Sequence, residues 1–297
     1  MSGLRALSTL GDEQMMFIDG SPYQWNQLPR PDLPLTVGID GGYVHARNGD
    51  NRKAGWFEVI VGKSMQGNSP TKRFGFVSTY DTKPKRKLYE MLRNQGLQMN
   101  QAITFLSDGG DTVRNLQLYL SPLAEHILDW FHVTMRLTVM KNMAVSLSTQ
   151  EHLKTLTEDL DRVKWYLWHG NVYRALALVE GISFDLDPEA KNNNETKLMV
   201  ALEEFDQYIK NNSALIPNYS DRYHYDEVIT TAFVESTVNE LVSKRMVKKQ
   251  QMRWTKKGAH LLLQVRIKTL NEELRQTFCH WYPKMEKSDD TSLPLAA

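Results

Sequence analysis

From Leu35 the chain falls into short apolar pieces, LTVGID, then WFEVIVG from Trp56, then RFGFVSTYD from Arg73. β-Branched and aromatic residues dominate them and Gly, Asn and Ser separate them, so the pattern predicts three consecutive strands in an antiparallel meander. From Pro84, the stretch KRKLYEMLRNQGL places Leu88, Met91 and Leu92 at helical spacing and stops at Gly96, which reads as a C-terminal cap. Two more apolar runs follow, AITFLSD ending at Asp108 and EHILDWFHV around Asp129, with a helical stretch from Thr112 to about Leu120 between them.

The predicted order is therefore strand, strand, strand, helix, strand, helix, strand. Strand-helix-strand connections require parallel neighbours, whereas the opening meander is antiparallel, so the sheet should be mixed. This is the element order of an α/β, RNase H-like fold, in which five strands lie in the order 3-2-1-4-5 and the first and fourth are adjacent. After His132 the spacing turns helical for roughly a hundred residues (HLKTLTEDLDRVKWYLWHG, NVYRALALVEGI, TKLMVALEEFDQYIKNN). A last long helix is expected from Thr231, broken at Gly258 and ending near Thr277. The expected division is an extended arm over 1–34, the first part of the core over 35–132 and an all-helical insertion over 133–230. A C-terminal helical part over 231–277 and a tail over 278–297 complete it.

Composition narrows the setting. With 41% hydrophobic and 24% charged residues the 297-residue chain is of the globular kind, and its longest apolar runs, such as Leu261 to Leu263, are too short to cross a bilayer. The N-terminus lacks a signal-peptide pattern and the single Cys279 cannot form an intrachain disulfide, so a cytoplasmic protein with no membrane partner is expected. The net charge of +1 conceals a strongly basic run. KRMVKKQQMRWTKK carries Lys244, Arg245, Lys248, Lys249, Arg253, Lys256 and Lys257 with no acid among them. A solvated helical face normally mixes both signs, so this run points to contact with a DNA backbone. Trp254 within it reads as a core anchor or a stacking residue, and Trp165 and Trp168 as core of the insertion.

The predicted topology brings three acids together: Asp40 at the end of the first strand, Asp108 at the end of the fourth and Glu235 early in the last helix. Two-metal phosphoryl transfer needs carboxylates that hold cations about 3.5 to 4 Å apart, and neighbouring strands, about 4.8 Å apart, can supply two of them. Gly41 and Gly42, and Gly109 and Gly110, would let the backbone turn beside each aspartate. Each acid alone has a plainer explanation, since Asp-Gly pairs mark turns and a first-turn glutamate favours the helix dipole. Asp111 reads as a helix N-cap. Asp129, on the fifth strand, reads as a supporting acid, and His132 as an accessory at a strand end that could orient phosphate or water.

Five blocks, GIDGGYVHAR, FLSDGGDTVRNL, HILDWFHVTMRL, VKWYLWHGN and TAFVESTVNELVSKRMVKKQQMRWTKKGAHLLLQVR, resemble bacterial insertion-sequence transposases of the ISKra type. The resemblance covers about residues 35 to 275 and implies a recombinase of the DDE superfamily with Asp40, Asp108 and Glu235 as catalytic, metal-holding acids. It further implies two magnesium ions, with manganese as a substitute. Double-stranded DNA would be the partner, as element ends and target, bound by a homo-oligomer. Members of that family carry an N-terminal DNA-binding region, whereas 34 residues precede Leu35 here, so the expectation is a catalytic core without that region. Two alternatives stay open: a truncated or domesticated DNA-binding remnant without activity, and an RNase H-like nuclease that hydrolyses strands without transferring them.

Overall fold

The computed structural model describes residues 33–47, 55–67, 69–98, 101–120, 124–145, 150–186, 193–247 and 253–284. The strand pattern from Leu35 onward folds as the meander β1 (Leu35–His45), β2 (Trp56–Met65) and β3 (Lys72–Val77). Helix α1 (Pro84–Asn94) begins on a proline, whose fixed φ suits a first helical turn. Just beyond its end Gly96 takes φ +94°, a conformation that favours glycine. β4 (Ile103–Ser107), α2 (Asp111–Leu120) and β5 (Glu125–Leu128) complete the sheet. Its order is β3-β2-β1-β4-β5, antiparallel on the meander side and parallel from β1 to β5. The α/β architecture with strand order 3-2-1-4-5 is thus the one the apolar pattern predicts.

The period-two alternation of β1 sorts its side chains onto two faces. Leu35, Val37 and Ile39 pack with Leu88 and Leu92 of α1 and Val113 of α2. Leu88 and Leu92 are fully buried, and each contributes roughly 2 kcal/mol through the apolar surface it removes from water. Val44, with Val59 and Val61 of β2, meets the C-terminal helices on the other face.

Between β5 and the last helices the described residues contain helices only. They are α3 (Trp130–Ala144), α4 (Gln150–Trp168), α5 (Val172–Asp185), α6 (Asn193–Asn211), a 3-10 turn (Ser213–Leu215) and α7 (Tyr219–His224). Leu137, Leu160, Leu167, Val179, Leu202 and Phe205 form their shared core, which Leu128 at the end of β5 joins to the sheet. A boundary after His132 therefore falls inside α3. Of the tryptophans expected in this core, Trp168 packs on Trp130 and Tyr219, whereas Trp165 is 58% exposed.

The final helical stretch departs from expectation. It starts after Thr231, as predicted, with α8 (Ala232–Val238), and runs on as a π-helical segment, Asn239–Val247, that buries Leu241, Val242 and Met246. It does not break at Gly258. A separate helix α9 (Lys256–Leu270) starts earlier, capped by Thr255, whose hydroxyl accepts the Gly258 N–H at 3.0 Å. The cap places Gly258 in the first turn of α9. α10 (Leu274–Trp281) follows. Trp254 sits between these helices as a packing residue, its backbone bridging to His45 and Arg47 at 2.9 Å and its ring against the core beneath α9.

Candidate active site

Asp40 lies inside β1 rather than at its end, paired across to Val61, and Gly41 and Gly42 continue the strand opposite Ile60 and Val59 without turning. The reason is β2: it stays hydrogen-bonded to β1 over the whole length, while the parallel ladder with β4 stops at Gly38 and Leu106. Asp40 lies two residues beyond that last rung on one side and Asp108 two residues beyond it on the other. The two aspartates therefore flank the point where β1 and β4 part.

Asp108 does stand in a turn. Gly109 takes φ +84°, and the Gly110 N–H returns to Asp108 Oδ1 at 3.0 Å. The Gly41 N–H likewise donates to Asp40 Oδ1, at 2.7 Å.

Gly38, Asp40 and Gly42 share the face of β1 that meets the C-terminal helices. A Cβ on Gly38 would lie 2.6 Å from Phe233 Cζ and closer still to Val234, so the missing side chain is what lets α8 sit directly on the strand. At Gly42 a Cβ would only touch Val238 and Val242, at 3.4 and 3.5 Å. The helix thus runs along β1 from Gly38 to Gly42 and passes Asp40 between them. Half-buried Glu235 lies in this helix between Val234 and Val238, while the charges that act on Asp40 are those of His132, Asp108 and Asp129.

Asp129 and His132 require correction. Asp129 follows the last residue of β5 and is the N-cap of α3, and His132 lies in the first turn of that helix rather than at a strand end. The Asp129 carboxylate is fully buried and fully engaged. Oδ1 accepts from the Phe131 N–H at 2.9 Å and the Thr231 N–H at 3.1 Å. Oδ2 accepts from the Thr231 hydroxyl and from His132 Nδ1, the latter at 2.7 Å. This aspartate joins the start of α3 to the start of α8.

Asp40, Asp108, Asp129 and His132 lie within electrostatic range of one another. Burial pushes the Asp40 carboxyl above the usual carboxylate range. The Gly41 N–H and His132 oppose that rise, and the charges of Asp108 and Asp129 add to it. His132 moves up from its ordinary value, first because of its hydrogen bond to Asp129, against a smaller burial effect and with help from the neighbouring carboxylates. Three carboxylates around one imidazole leave excess negative charge, which a divalent cation would relieve, and oxygen donors suit magnesium or manganese. In kind the residues fit such an ion. Among the described residues, however, no three His, Cys, Asp or Glu side chains stand close enough together to hold one.

The sequence reading missed a polar layer beneath Asp108. Ser107 is fully buried at the end of β4; its hydroxyl oxygen accepts the Gly109 N–H at 3.2 Å and is 2.9 Å from His126 Nε2. Burial, with a smaller push from Arg114, lowers the His126 pKa to about 4, so the ring beside the Ser107 hydroxyl is neutral. A serine at an inward-facing strand position was the signal available.

Of the basic run, Lys244 and Arg245 at the end of the π-helical segment, Arg253 just before α9, and Lys256 and Lys257 in its first turn are all exposed. Lys248 and Lys249 lie outside the described residues. Asp111 begins α2.

No family model matches the chain, and no curated protein matches it. Among solved structures it is similar to the Drosophila P element transposase strand transfer complex, with a TM-score of 0.37 and 11% identity over 81% of this chain and 78% of that one. A likeness at that level leaves the function to be read from the chain's own residues. No helix among the described residues is long and apolar enough to cross a membrane.

Proposed function

We propose that this chain is the catalytic core of a DDE-type DNA transposase, of the insertion-sequence kind its motifs resemble, cleaving DNA and joining the freed 3′ end to a target strand. The observation that carries the reading is the placement of Asp40 and Asp108 where β1 and β4 part, with α8, the helix that contains Glu235, packed on the face of β1 that bears Asp40. Asp40, Asp108 and Glu235 would hold two magnesium ions, which when bound supply activation of the attacking oxygen and stabilisation of the leaving one.

The chain's own residues do the positioning. Gly38 admits α8, the helix that contains Glu235, onto β1, and Asp129 ties the first residues of α3 to Thr231 at the head of that helix. The exposed cations Lys244, Arg245, Arg253, Lys256 and Lys257 supply a surface for phosphates on the polypeptide stretch that follows Glu235. A homo-oligomer bound to two DNA ends belongs to the same proposal.

One observation favours a second reading, a DNA-binding chain that does no chemistry: the acids do not converge as a ready-made metal cluster among the described residues. Incubating the protein with supercoiled plasmid and magnesium or manganese, alongside a DNA-binding titration in rising salt, separates the two. The transposase reading expects metal-dependent nicking. Salt-sensitive binding without any nicking supports the second reading and overturns the first.

A further inference from the structure

The turn that carries Asp108 is held from a part of the chain a hundred residues away. Tyr208, on the last turns of α6, donates its hydroxyl to the Asp108 carbonyl at 3.1 Å. One helical turn on, Asn212 is buried against Gly109: a Cβ on Gly109 would lie 2.7 Å from Asn212 Cγ and nearer to its Oδ1. Gly109 therefore answers two demands at once, the left-handed φ of +84° and the close approach of an amide side chain.

Asn212 is fixed at both ends. Its Nδ2 donates to the Tyr208 carbonyl at 2.8 Å, and its Oδ1 accepts from Arg114 Nη2 at 3.1 Å. The same Arg114 nitrogen reaches the Asn211 carbonyl at 3.3 Å, so α2, which begins just after the Asp108 turn, is tied to the end of α6. Tyr208 is fixed too, its ring lying 4.2 Å from the Arg136 guanidinium of α3. Below the turn, the Ser107 hydroxyl, itself hydrogen-bonded with His126, accepts the Gly109 N–H. The peptide plane on either side of Gly109 is thus gripped from the sheet beneath and from the helical insertion above.

We infer that Tyr208 and Asn212 are positioning residues for Asp108, through which the helical insertion sets the direction in which that carboxylate is presented. The inference rests on the reading of Asp108 as a metal-holding acid. It gives the insertion a role in the site beyond filling space: moving the end of α6 moves the Asp108 turn, because the Tyr208 hydroxyl bonds directly to the Asp108 carbonyl and Arg136 holds the ring that carries it. Burial raises the Tyr208 hydroxyl above its ordinary range, which keeps it a donor at any working pH.

The test uses the full chain without DNA. Manganese binding is measured by electron paramagnetic resonance for the wild type, Asp108→Asn, Tyr208→Phe and Asn212→Ser, with near-ultraviolet circular dichroism to compare folds. Tyr208→Phe keeps the ring under Arg136 and removes only the hydroxyl, and Asn212→Ser keeps room for Gly109 and removes the Arg114 tether. The expected result is manganese affinity lowered about tenfold in both variants, the usual effect of removing an outer partner of a ligand, with an unchanged dichroism spectrum. Wild-type affinity in both folded variants, with binding abolished in Asp108→Asn, overturns the positioning role alone. Equal binding by the wild type and Asp108→Asn overturns the reading of Asp108 and the inference with it.

Discussion

Thr231 gives both its backbone N–H and its hydroxyl to the carboxylate of Asp129, a residue 102 positions earlier in the chain. The pair stands where α3 and α8 begin, so one buried carboxylate sets two helix starts, one of them four residues before Glu235. Replacing it should cost more than a surface cap does. Asp129→Ala leaves the Thr231 hydroxyl, the His132 ring and two backbone N–H groups without their acceptor. We expect a stability loss on the order of 3 kcal/mol by urea unfolding. A loss below about 0.5 kcal/mol, typical of a surface site, would show that the network carries no weight.

Gly38 and Gly42 make a matched pair for the packing of α8. Gly38→Ala drives a methyl into Phe233 and Val234 and should cost about 1–3 kcal/mol, the range of overpacked cores. Gly42→Ala meets only ordinary contacts and should be close to neutral. Cleavage activity, if it depends on the placement of Glu235, should fall with the first substitution and persist with the second. Equal effects of the two on unfolding midpoint would remove the close approach of α8 as an explanation.

The two histidines near the site predict opposite pH dependences. His126 has a folded pKa near 4, below its ordinary 6.5, so the stability it contributes is present above 6.5 and is lost as pH falls from there toward 4. His132 is raised, so its contribution is full below its unfolded value and is lost as pH climbs through the folded one. Urea midpoints measured across pH should therefore decline on the acid side less steeply in His126→Gln than in the wild type. Parallel acid limbs in the two proteins would count against a buried neutral His126.

How much of this was legible in the residues differs between the fold and the site. The meander, α1 and the order of the sheet follow from local alternation and turn chemistry, signals that sit within a few residues. Asp40 is expected at a strand end because Asp-Gly-Gly reads locally as a turn, while pairing to β2, a tertiary fact, keeps it extended. Asp129 departs from its expected place for a related reason: whether a strand ends one residue sooner depends on a capping bond, here to the Phe131 N–H. The grip of Tyr208 and Asn212 on the Asp108 turn leaves no trace in sequence spacing, since it joins segments a hundred residues apart. Thr231 as a helix start, in contrast, is readable from the onset of helical periodicity.

Binding to DNA should register the exposed cations individually. Each phosphate that the protein no longer neutralises lowers the slope of log affinity against log salt by about 0.9 for duplex DNA. A Lys244→Ala, Lys256→Ala, Lys257→Ala protein should bind a random duplex more weakly and with a visibly shallower salt slope in fluorescence anisotropy. An unchanged slope would place the DNA path elsewhere.

The central claim is that Asp40 and Asp108 do chemistry on DNA. Its most direct test is a strand-joining assay: a labelled duplex with a free 3′ hydroxyl is mixed with plasmid target, magnesium or manganese, and wild-type, Asp40→Asn or Asp108→Asn protein of verified fold. The account predicts labelled plasmid with the wild type and none with either variant, although all three retain the duplex in a binding assay. Joining that persists in Asp40→Asn, or a wild-type protein that binds the duplex yet neither nicks nor joins with either metal, would contradict it.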